Sequence, residues 1–175
     1  MLFQLRYEMG TLEEHHLAYN TKRPSWDEYF IKIMNDIGER ATCDRGKSGC
    51  VITRDNRILT TGYVGAPRGF AHCDEEGHLY KRVVQEDGSI KDHCRRGLHA
   101  EINAILQAAM NGVTIAGATL YCSMVPCRDC AMAIIQCGIL RVVAEYDYHA
   151  GAESKQMFAD AGIEFVCMFE GAYKY

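Results

Sequence analysis

Two short segments of the sequence carry side chains that could bind a metal ion and act on a water molecule beside it. The first is His99-Ala100-Glu101, and the second runs from Pro126 to Cys130. A catalytic zinc ion takes three protein ligands and leaves its fourth tetrahedral position to water. His99, Cys127 and Cys130 match that number and those donor types. The pattern therefore predicts a hydrolytic Zn2+ site.

Both segments are expected to open a helix. Apolar residues recur at helical spacing from Leu98 onward, and Pro126 suits the start of the second helix. Cys127 and Cys130 are three positions apart, so their sulfurs share one helix face, where the N-terminal dipole favours thiolates. A zinc ion bound there would lower the pKa of its water by several units.

Glu101 is predicted to act as the general acid–base. It stands two residues after His99, about 200° round an ideal helix, and is poorly placed to bind the same metal. It could instead take a proton from the water and deliver it to a ring nitrogen and then to a leaving amine. Ala100 offers a backbone N–H at the pocket floor. The alternative is a closed structural zinc site with a fourth thiol or imidazole, in which Glu101 is an ordinary helix residue.

The remaining pattern predicts elements that could position these segments. Ser25 and Glu28 have the spacing of a capping box at the start of a helix over 26–40. A hairpin of strands follows over 50–53 and 58–63, and then a long polar segment over 70–97 without regular structure. Beyond the helix that begins near residue 98 we expect a strand over 118–123, a helix over 127–137, a strand over 140–145, a helix over 152–161 and a strand over 163–168. This order predicts an α/β fold, a sheet with helices on both faces.

The composition limits the kind of protein. The chain has 175 residues, of which 48% are hydrophobic, enough for one domain with a buried core. We take residues 24–175 as that domain and 1–23 as an N-terminal extension of unknown function. No stretch reaches the roughly 18 apolar residues of a membrane helix, and no signal peptide is evident, so we expect a cytoplasmic protein without a membrane partner. The formal net charge of -4 argues against polymeric nucleic acid as a partner.

Other residues are candidates for binding the substrate. Tyr146, Tyr148 and His149 follow a predicted strand, at the sheet edge where α/β folds often bind ligands. Arg45 and Arg68 are candidates for contact with a phosphate or a regulatory nucleotide, because a guanidinium group matches phosphate geometry. Packing and surface roles are the alternatives. Four of the nine cysteines lie in apolar patterns and are expected to be core residues: Cys50, Cys122, Cys137 and Cys167.

The zinc motifs resemble those of the cytidine deaminase superfamily, whose signature is H-x-E followed by P-C-x-x-C. From about Ser25 to the C-terminus the chain is similar to the deoxycytidylate (dCMP) deaminases. The segments that carry this resemblance are 25–30, 41–45, 61–69, 72–75, 93–96, 99–107 and 126–131. The resemblance implies a three-layer α-β-α sandwich with a five-stranded mixed sheet. It also implies hydrolysis of dCMP to dUMP and ammonia, which supplies dUMP for thymidylate synthesis.

The resemblance implies roles and partners as well. His99, Cys127 and Cys130 would hold the catalytic zinc, Glu101 would move protons, and the Ala100 backbone would contact the pyrimidine. The expected assembly is a homohexamer that dCTP with Mg2+ activates and dTTP inhibits. Some relatives bind a second, structural zinc through cysteines at the positions of Cys43 and Cys73. The candidate ligands here are Cys43, Cys73, His78, His93 and Cys94, with buried thiols and surface histidines as the alternative.

One position departs from the family pattern. These deaminases usually carry Asn in Gly-Tyr-Asn-Gly, where its side chain contacts the sugar, but this chain has Val64. Loss of a specific hydrogen bond can change discrimination between substrates by orders of magnitude. The substrate could therefore be another free cytosine nucleotide.

Two other functions remain as alternatives. A tRNA adenosine or guanine deaminase shares the zinc motifs, but the acidic balance, the ligand-rich 70–97 segment and the helix with Trp26 disfavour it. Outside the enzymes, a zinc-stabilised nucleotide-binding protein could keep the cysteines for structure. Such a protein has little need for Glu101 beside a metal-bound water.

Overall fold

The computed structural model describes residues 22–84, 88, 90–148 and 150–172. Residues 1–21 of the predicted extension, and the candidate residue His149, lie outside these ranges. Within them, no helix is both long enough and apolar enough to cross a membrane.

The described residues form a sheet with helices on both sides and a separate hairpin. In chain order the elements are α1 (Trp26–Gly38), β1 (Gly49–Arg54), β2 (Arg57–Tyr63), α2 (Cys73–Glu76), β3 (Tyr80–Val84), β4 (Ile90–Cys94), α3 (Ala100–Met110), β5 (Thr119–Met124), α4 (Arg128–Gln136), β6 (Arg141–Asp147), α5 (Ala152–Asp160) and β7 (Glu164–Ala172). The sheet has the strand order β2-β1-β5-β6-β7. Strand β1 runs antiparallel to β2 and β5, whereas β5, β6 and β7 are parallel. The predicted mixed five-stranded sheet is confirmed.

The two faces of this sheet have separate hydrophobic cores. Because successive side chains of a strand point to opposite faces, Val51 of β1 packs against α1 while its neighbours Cys50 and Ile52 face the other side. On the α1 face, Phe30 and Met34 are buried. Helices α3, α4 and α5 cover the opposite face. This arrangement is the predicted three-layer α-β-α sandwich.

The start of α1 is fixed both by its cap and by the sheet. The predicted capping box is present: Glu28 N donates to Ser25 Oγ at 3.2 Å, and Ser25 N donates to Glu28 Oε2 at 2.7 Å. The Arg141 guanidinium donates to both carboxylate oxygens of Asp27, at 2.7 and 2.8 Å, and the Tyr121 hydroxyl donates at 2.9 Å. Arg141 therefore holds the pKa of Asp27 below its usual value. These bonds tie α1 to β5 and β6.

The prediction that residues 70–97 lack regular structure is wrong. This segment contains the short helix α2 and the antiparallel hairpin β3–β4. Its strands carry exposed apolar side chains, among them Tyr80, Val84 and Ile90. A strand that turns neither face to a core lacks the alternation of apolar and polar residues by which strands are predicted.

Candidate active site

The predicted zinc ligands come together at the starts of two helices. His99 is the N-cap of α3, Cys127 is the N-cap of α4, and Cys130 lies in the first turn of α4. His99 Nδ1 is 3.5 Å from Cys127 Sγ and 3.4 Å from Cys130 Sγ. Around one tetrahedral zinc ion, such atoms lie about 3.4 to 3.8 Å apart. We call these three residues the active-site cluster; their donor types and spacing fit zinc.

Helix α3 can reach its position because a glycine faces it from the sheet. A Cβ atom on Gly62 would overlap the carbonyl oxygen of Ala100 and the backbone nitrogen of Ala104. Without a side chain at this point of β2, the first turn of α3 packs directly on the strand. Asn103 Nδ2 also donates to the Tyr63 carbonyl at 2.7 Å. The sheet therefore sets the place of the helix start that carries the histidine.

Glu101 lies buried beside the active-site cluster. It is 9% exposed, and its Oε2 accepts a long hydrogen bond from Cys130 Sγ at 3.8 Å. Burial raises the pKa of this carboxyl group, because the ionised form loses its hydration. A carboxyl group with a raised pKa can accept and return a proton near neutral pH. Its surroundings suit proton transfer.

The cluster stabilises negative charge on one sulfur. Hydrogen bonds from the Cys130 thiol and from His99 lower the pKa of the Cys127 thiol to about 4. The same interaction with Cys127 raises the pKa of His99 to about 9. The hydrogen bond to Cys127, together with burial, raises the pKa of Cys130. A site that favours a thiolate next to an imidazole is suited to a divalent cation of zinc type.

The active-site cluster opens into a cavity of about 380 Å³, within the usual size range of small-molecule sites. Four predicted substrate or phosphate contacts line it: Arg45, Val64, Ala100 and Tyr148. Val64 N donates to Ser48 O at 3.0 Å, and Val64 O accepts from Thr42 N at 3.2 Å. With its backbone engaged on both sides, position 64 offers the cavity an apolar side chain.

Two other predicted contacts lie elsewhere. Tyr146 lines a smaller cavity of about 60 Å³, and its ring stacks on Phe169 with 5.5 Å between centroids. Arg68 is exposed and lines neither cavity. The structure therefore does not bring Tyr146 or Arg68 to the active-site cluster.

A second cluster forms from four of the five candidates for another metal site. The ligand atoms of Cys43, Cys73, His78 and Cys94 all lie within 4.8 Å of one another. The sulfurs of Cys73 and Cys94 are 3.6 Å apart, and Cys43 Sγ is 3.9 Å from His78 Nδ1. The fifth candidate, His93, is not part of this cluster. Both His93 and its neighbour Cys94 line the main cavity. We call the four residues the metal clip.

Several residues at these two sites were not predicted from the sequence. Ser48, Asp92 and Ser123 line the main cavity, and Asp44 Oδ1 lies 2.8 Å from His78 Nε2. Asp44 could have been suspected because it adjoins a candidate ligand. The two serines belong to distant parts of the chain, and no spacing relates them.

The protein-family model for the cytidine and deoxycytidylate deaminase zinc-binding region matches residues 24–146 of this chain. The matched range contains every residue of the active-site cluster. The chain belongs to this family.

Similar proteins and a similar solved structure support this family assignment. ComE operon protein 2 of Bacillus subtilis is 39% identical over 142 residues, which are 81% of this chain and 70% of that protein. Deoxycytidylate deaminase of Saccharomyces cerevisiae is 40% identical over 142 residues, which are 81% of this chain but 44% of the yeast protein. The chain thus spans less than half of that yeast relative. The crystal structure of dCMP deaminase from the cyanophage S-TIM5, in complex with dCMP and dUMP, has a TM-score of 0.68 at 29% identity and covers 84% of this chain and 99% of that chain.

Proposed function

We propose that the protein is a deoxycytidylate deaminase, which converts dCMP and water to dUMP and ammonia and so supplies dUMP for thymidylate synthesis. The observation that carries the proposal is the three-ligand cluster with a buried glutamate beside it, at the wall of a cavity large enough for a nucleotide. The family and the relatives named deoxycytidylate deaminase support this substrate.

Each residue near the cluster has a definite part in this reaction. His99, Cys127 and Cys130 would hold a zinc ion, which when bound makes water acidic enough to attack the base near neutral pH. Glu101 accepts the proton of that water and passes it to the ring nitrogen of cytosine. Glu101 then takes the remaining proton from the hydroxyl group that water has added to the ring and gives it to the amino group, which leaves as ammonia while the ring carbonyl forms. The Ala100 backbone, which lines the cavity, contacts the pyrimidine.

Arg45 supplies positive charge for the substrate phosphate. Its guanidinium Nη1 donates to the Asp92 carbonyl at 2.9 Å, and its Cζ lies 5.4 Å from the centre of the Tyr80 ring. These contacts hold a side chain that lines the main cavity. A preordered guanidinium group loses less side-chain entropy when it binds a phosphate.

Turnover assays test the proposed substrate. Zinc-loaded protein is incubated with dCMP, dCTP, deoxycytidine, CMP and a tRNA, and ammonia release or the ultraviolet change is followed. We expect dCMP to have the highest kcat/KM. Zinc-loaded protein that acts on none of the nucleotides would overturn the proposal. Faster turnover of another free cytosine nucleotide would support the alternative that Val64 raises.

We also propose that the metal clip binds a structural zinc ion. Three sulfurs and one imidazole fill a tetrahedral coordination shell and leave no position for water. The ligands come from the chain after α1, from α2, from the α2–β3 connection and from the end of β4. An ion there would tie these segments together. Among the described residues, neither hydrophobic core of the sheet includes a side chain of α2, β3 or β4. Metal analysis should find two zinc ions per chain, and a single ion would refute the clip.

The assembly and its regulation are proposals that rest on the resemblance. We expect a homohexamer that is activated by dCTP with Mg2+ and inhibited by dTTP, in the cytoplasm. Sedimentation measurements with and without each nucleotide, together with initial rates, test both. A monomer at assay concentration, or rates that neither nucleotide changes, would contradict them.

A further inference from the structure

Within the metal clip, His78 also contacts an acidic side chain that is not one of the four ligands. Its Nδ1 faces Cys43 Sγ at 3.9 Å, while its Nε2 lies 2.8 Å from Asp44 Oδ1. The His78 side chain is 14% exposed and that of Asp44 is 81% exposed. The carboxylate therefore contacts the outer nitrogen of a mostly buried ring, and the inner nitrogen faces the sulfurs.

This arrangement selects which ring nitrogen can bind a metal. A neutral imidazole carries hydrogen on one nitrogen and a free lone pair on the other. A hydrogen bond from Nε2 to the Asp44 carboxylate places the hydrogen on Nε2. The lone pair of Nδ1 is then directed toward the sulfurs. A histidine that binds a metal commonly donates its other N–H to a carboxylate, and loss of that partner typically weakens metal binding about 10- to 100-fold.

The same stretch of chain forms part of the substrate cavity. Cys43 and Arg45, on either side of Asp44, both line the cavity, and so does Cys94. Arg45 Nη1 donates to the carbonyl of Asp92, a residue of β4 two positions before Cys94. The segment that holds His78 in place is thus continuous with the segment that carries the cationic side chain of the cavity.

We infer that Asp44 is a positioning residue of the metal clip, which orients His78 so that Nδ1 binds the ion and which links occupancy of the clip to the Arg45 wall of the substrate cavity. This inference rests on the metal clip and on the dCMP substrate proposed above. It adds a residue that does not contact the metal itself.

Metal release from the intact chain tests the positioning role. Zinc-loaded wild-type protein and the Asp44→Ala variant are titrated with a chelator of known affinity, and both zinc ions are followed. One of the two zinc ions should bind about 10- to 100-fold more weakly in Asp44→Ala, while the other is unchanged. The Asp44→Asn variant, which keeps an oxygen that accepts from Nε2, should recover most of the affinity.

A matched control tests whether any acidic residue next to a clip ligand has the same effect as Asp44. Asp74 is an exposed acid next to Cys73, just as Asp44 is next to Cys43, and its side chain has no described contact with His78. The Asp74→Ala variant should retain both zinc ions with wild-type affinity. Equal weakening in Asp74→Ala, or unchanged zinc release in Asp44→Ala, would overturn the positioning role.

Kinetics test the link to the cavity. At limiting free zinc, Asp44→Ala should raise KM for dCMP several-fold while kcat stays within about twofold, and excess zinc should restore KM. A KM that does not follow clip occupancy would overturn the link. One zinc ion per wild-type chain would overturn the clip and this inference together. Two zinc ions, one weakened by Asp44→Ala, in a protein that does not deaminate dCMP would support the positioning role and overturn the proposed activity with its link.

Discussion

The active-site cluster and the metal clip have similar ligands but are built on different kinds of structure. The cluster lies at the N-termini of α3 and α4, two helices that share a hydrophobic core with the sheet. The clip lies on connections, on the four-residue helix α2 and at the end of β4, outside the five-stranded sheet. The first set of ligands is positioned by packing. The second set would itself position the chain.

The number of ligands also differs between the two sites, in a way that fits a catalytic role for the cluster and a structural role for the clip. The cluster brings together three ligands with a buried carboxyl group beside them, whereas the clip brings together four. Three ligands leave a position for chemistry, and four close the coordination shell. Rigid helices keep reacting groups in place, whereas an ion can replace core contacts for a hairpin whose apolar side chains are exposed. The predictions below test this division of roles.

The largest effect is expected from Glu101→Gln. This change removes the group that transfers protons but keeps the size of the side chain, so kcat for dCMP should fall about 10³-fold or more. Both zinc ions should remain, as measured by metal analysis. Turnover within about tenfold of wild type would show that the buried carboxyl group is not the proton carrier.

Loss of a clip ligand should affect stability more than chemistry. In Cys73→Ser the clip should lose its ion, and Tm should fall by about 4 to 8 °C, equivalent to about 2 kcal/mol for a chain of this size. The cluster should keep its zinc ion, and kcat should change less than KM. The control Cys137→Ser removes a thiol outside both clusters. An equal fall in Tm in the control, or no fall in Cys73→Ser, would contradict the role of the clip.

Val64→Asn should change the cavity without affecting either metal. An amide at this position can form a hydrogen bond with the sugar, so kcat/KM for dCMP should change at least several-fold. The control Val64→Ala alters the size of the side chain but adds no polar group. If the two variants behave alike, or if Asn leaves kcat/KM unchanged, hydrogen bonding at this position is not what sets substrate choice.

The smallest effect is expected at Asp27, which ties α1 to the sheet and touches neither metal site. Its pKa is lowered in the folded protein, so its contribution to stability is present above the ordinary value of 3.8 and is lost as the pH falls through the folded value. At pH 7 the Asp27→Asn variant should have a Tm a few degrees lower than wild type. Thermal unfolding should show this difference shrinking below pH 3.8. A difference that persists in acid would point to packing in place of charge.

The cluster was predictable because its signals are local. His99 and Glu101 are two residues apart, Cys127 and Cys130 are three apart, and each pair begins a periodic helix. The clip was only partly predictable. Its ligands come from distant segments of the chain. The exposed strands of the hairpin show no alternation of apolar and polar residues, so the sequence could not tell which of His93 and Cys94 joins the cluster. The sequence also could not tell that Tyr146 and Arg68 lie away from the main cavity, because that depends on how distant segments pack together.

By itself the sequence determined the helices that begin at the zinc ligands, the alternation of strands and helices, and the donor types of both clusters. Spacing along a helix sets which side chains share a face, and a short motif records that spacing completely. The tertiary structure decided which distant ligands meet, that Asp44 contacts His78, and that Val64 lines the cavity with both of its backbone groups hydrogen-bonded. Those contacts depend on how the loops and the hairpin pack against the sheet, which no local pattern of residues specifies.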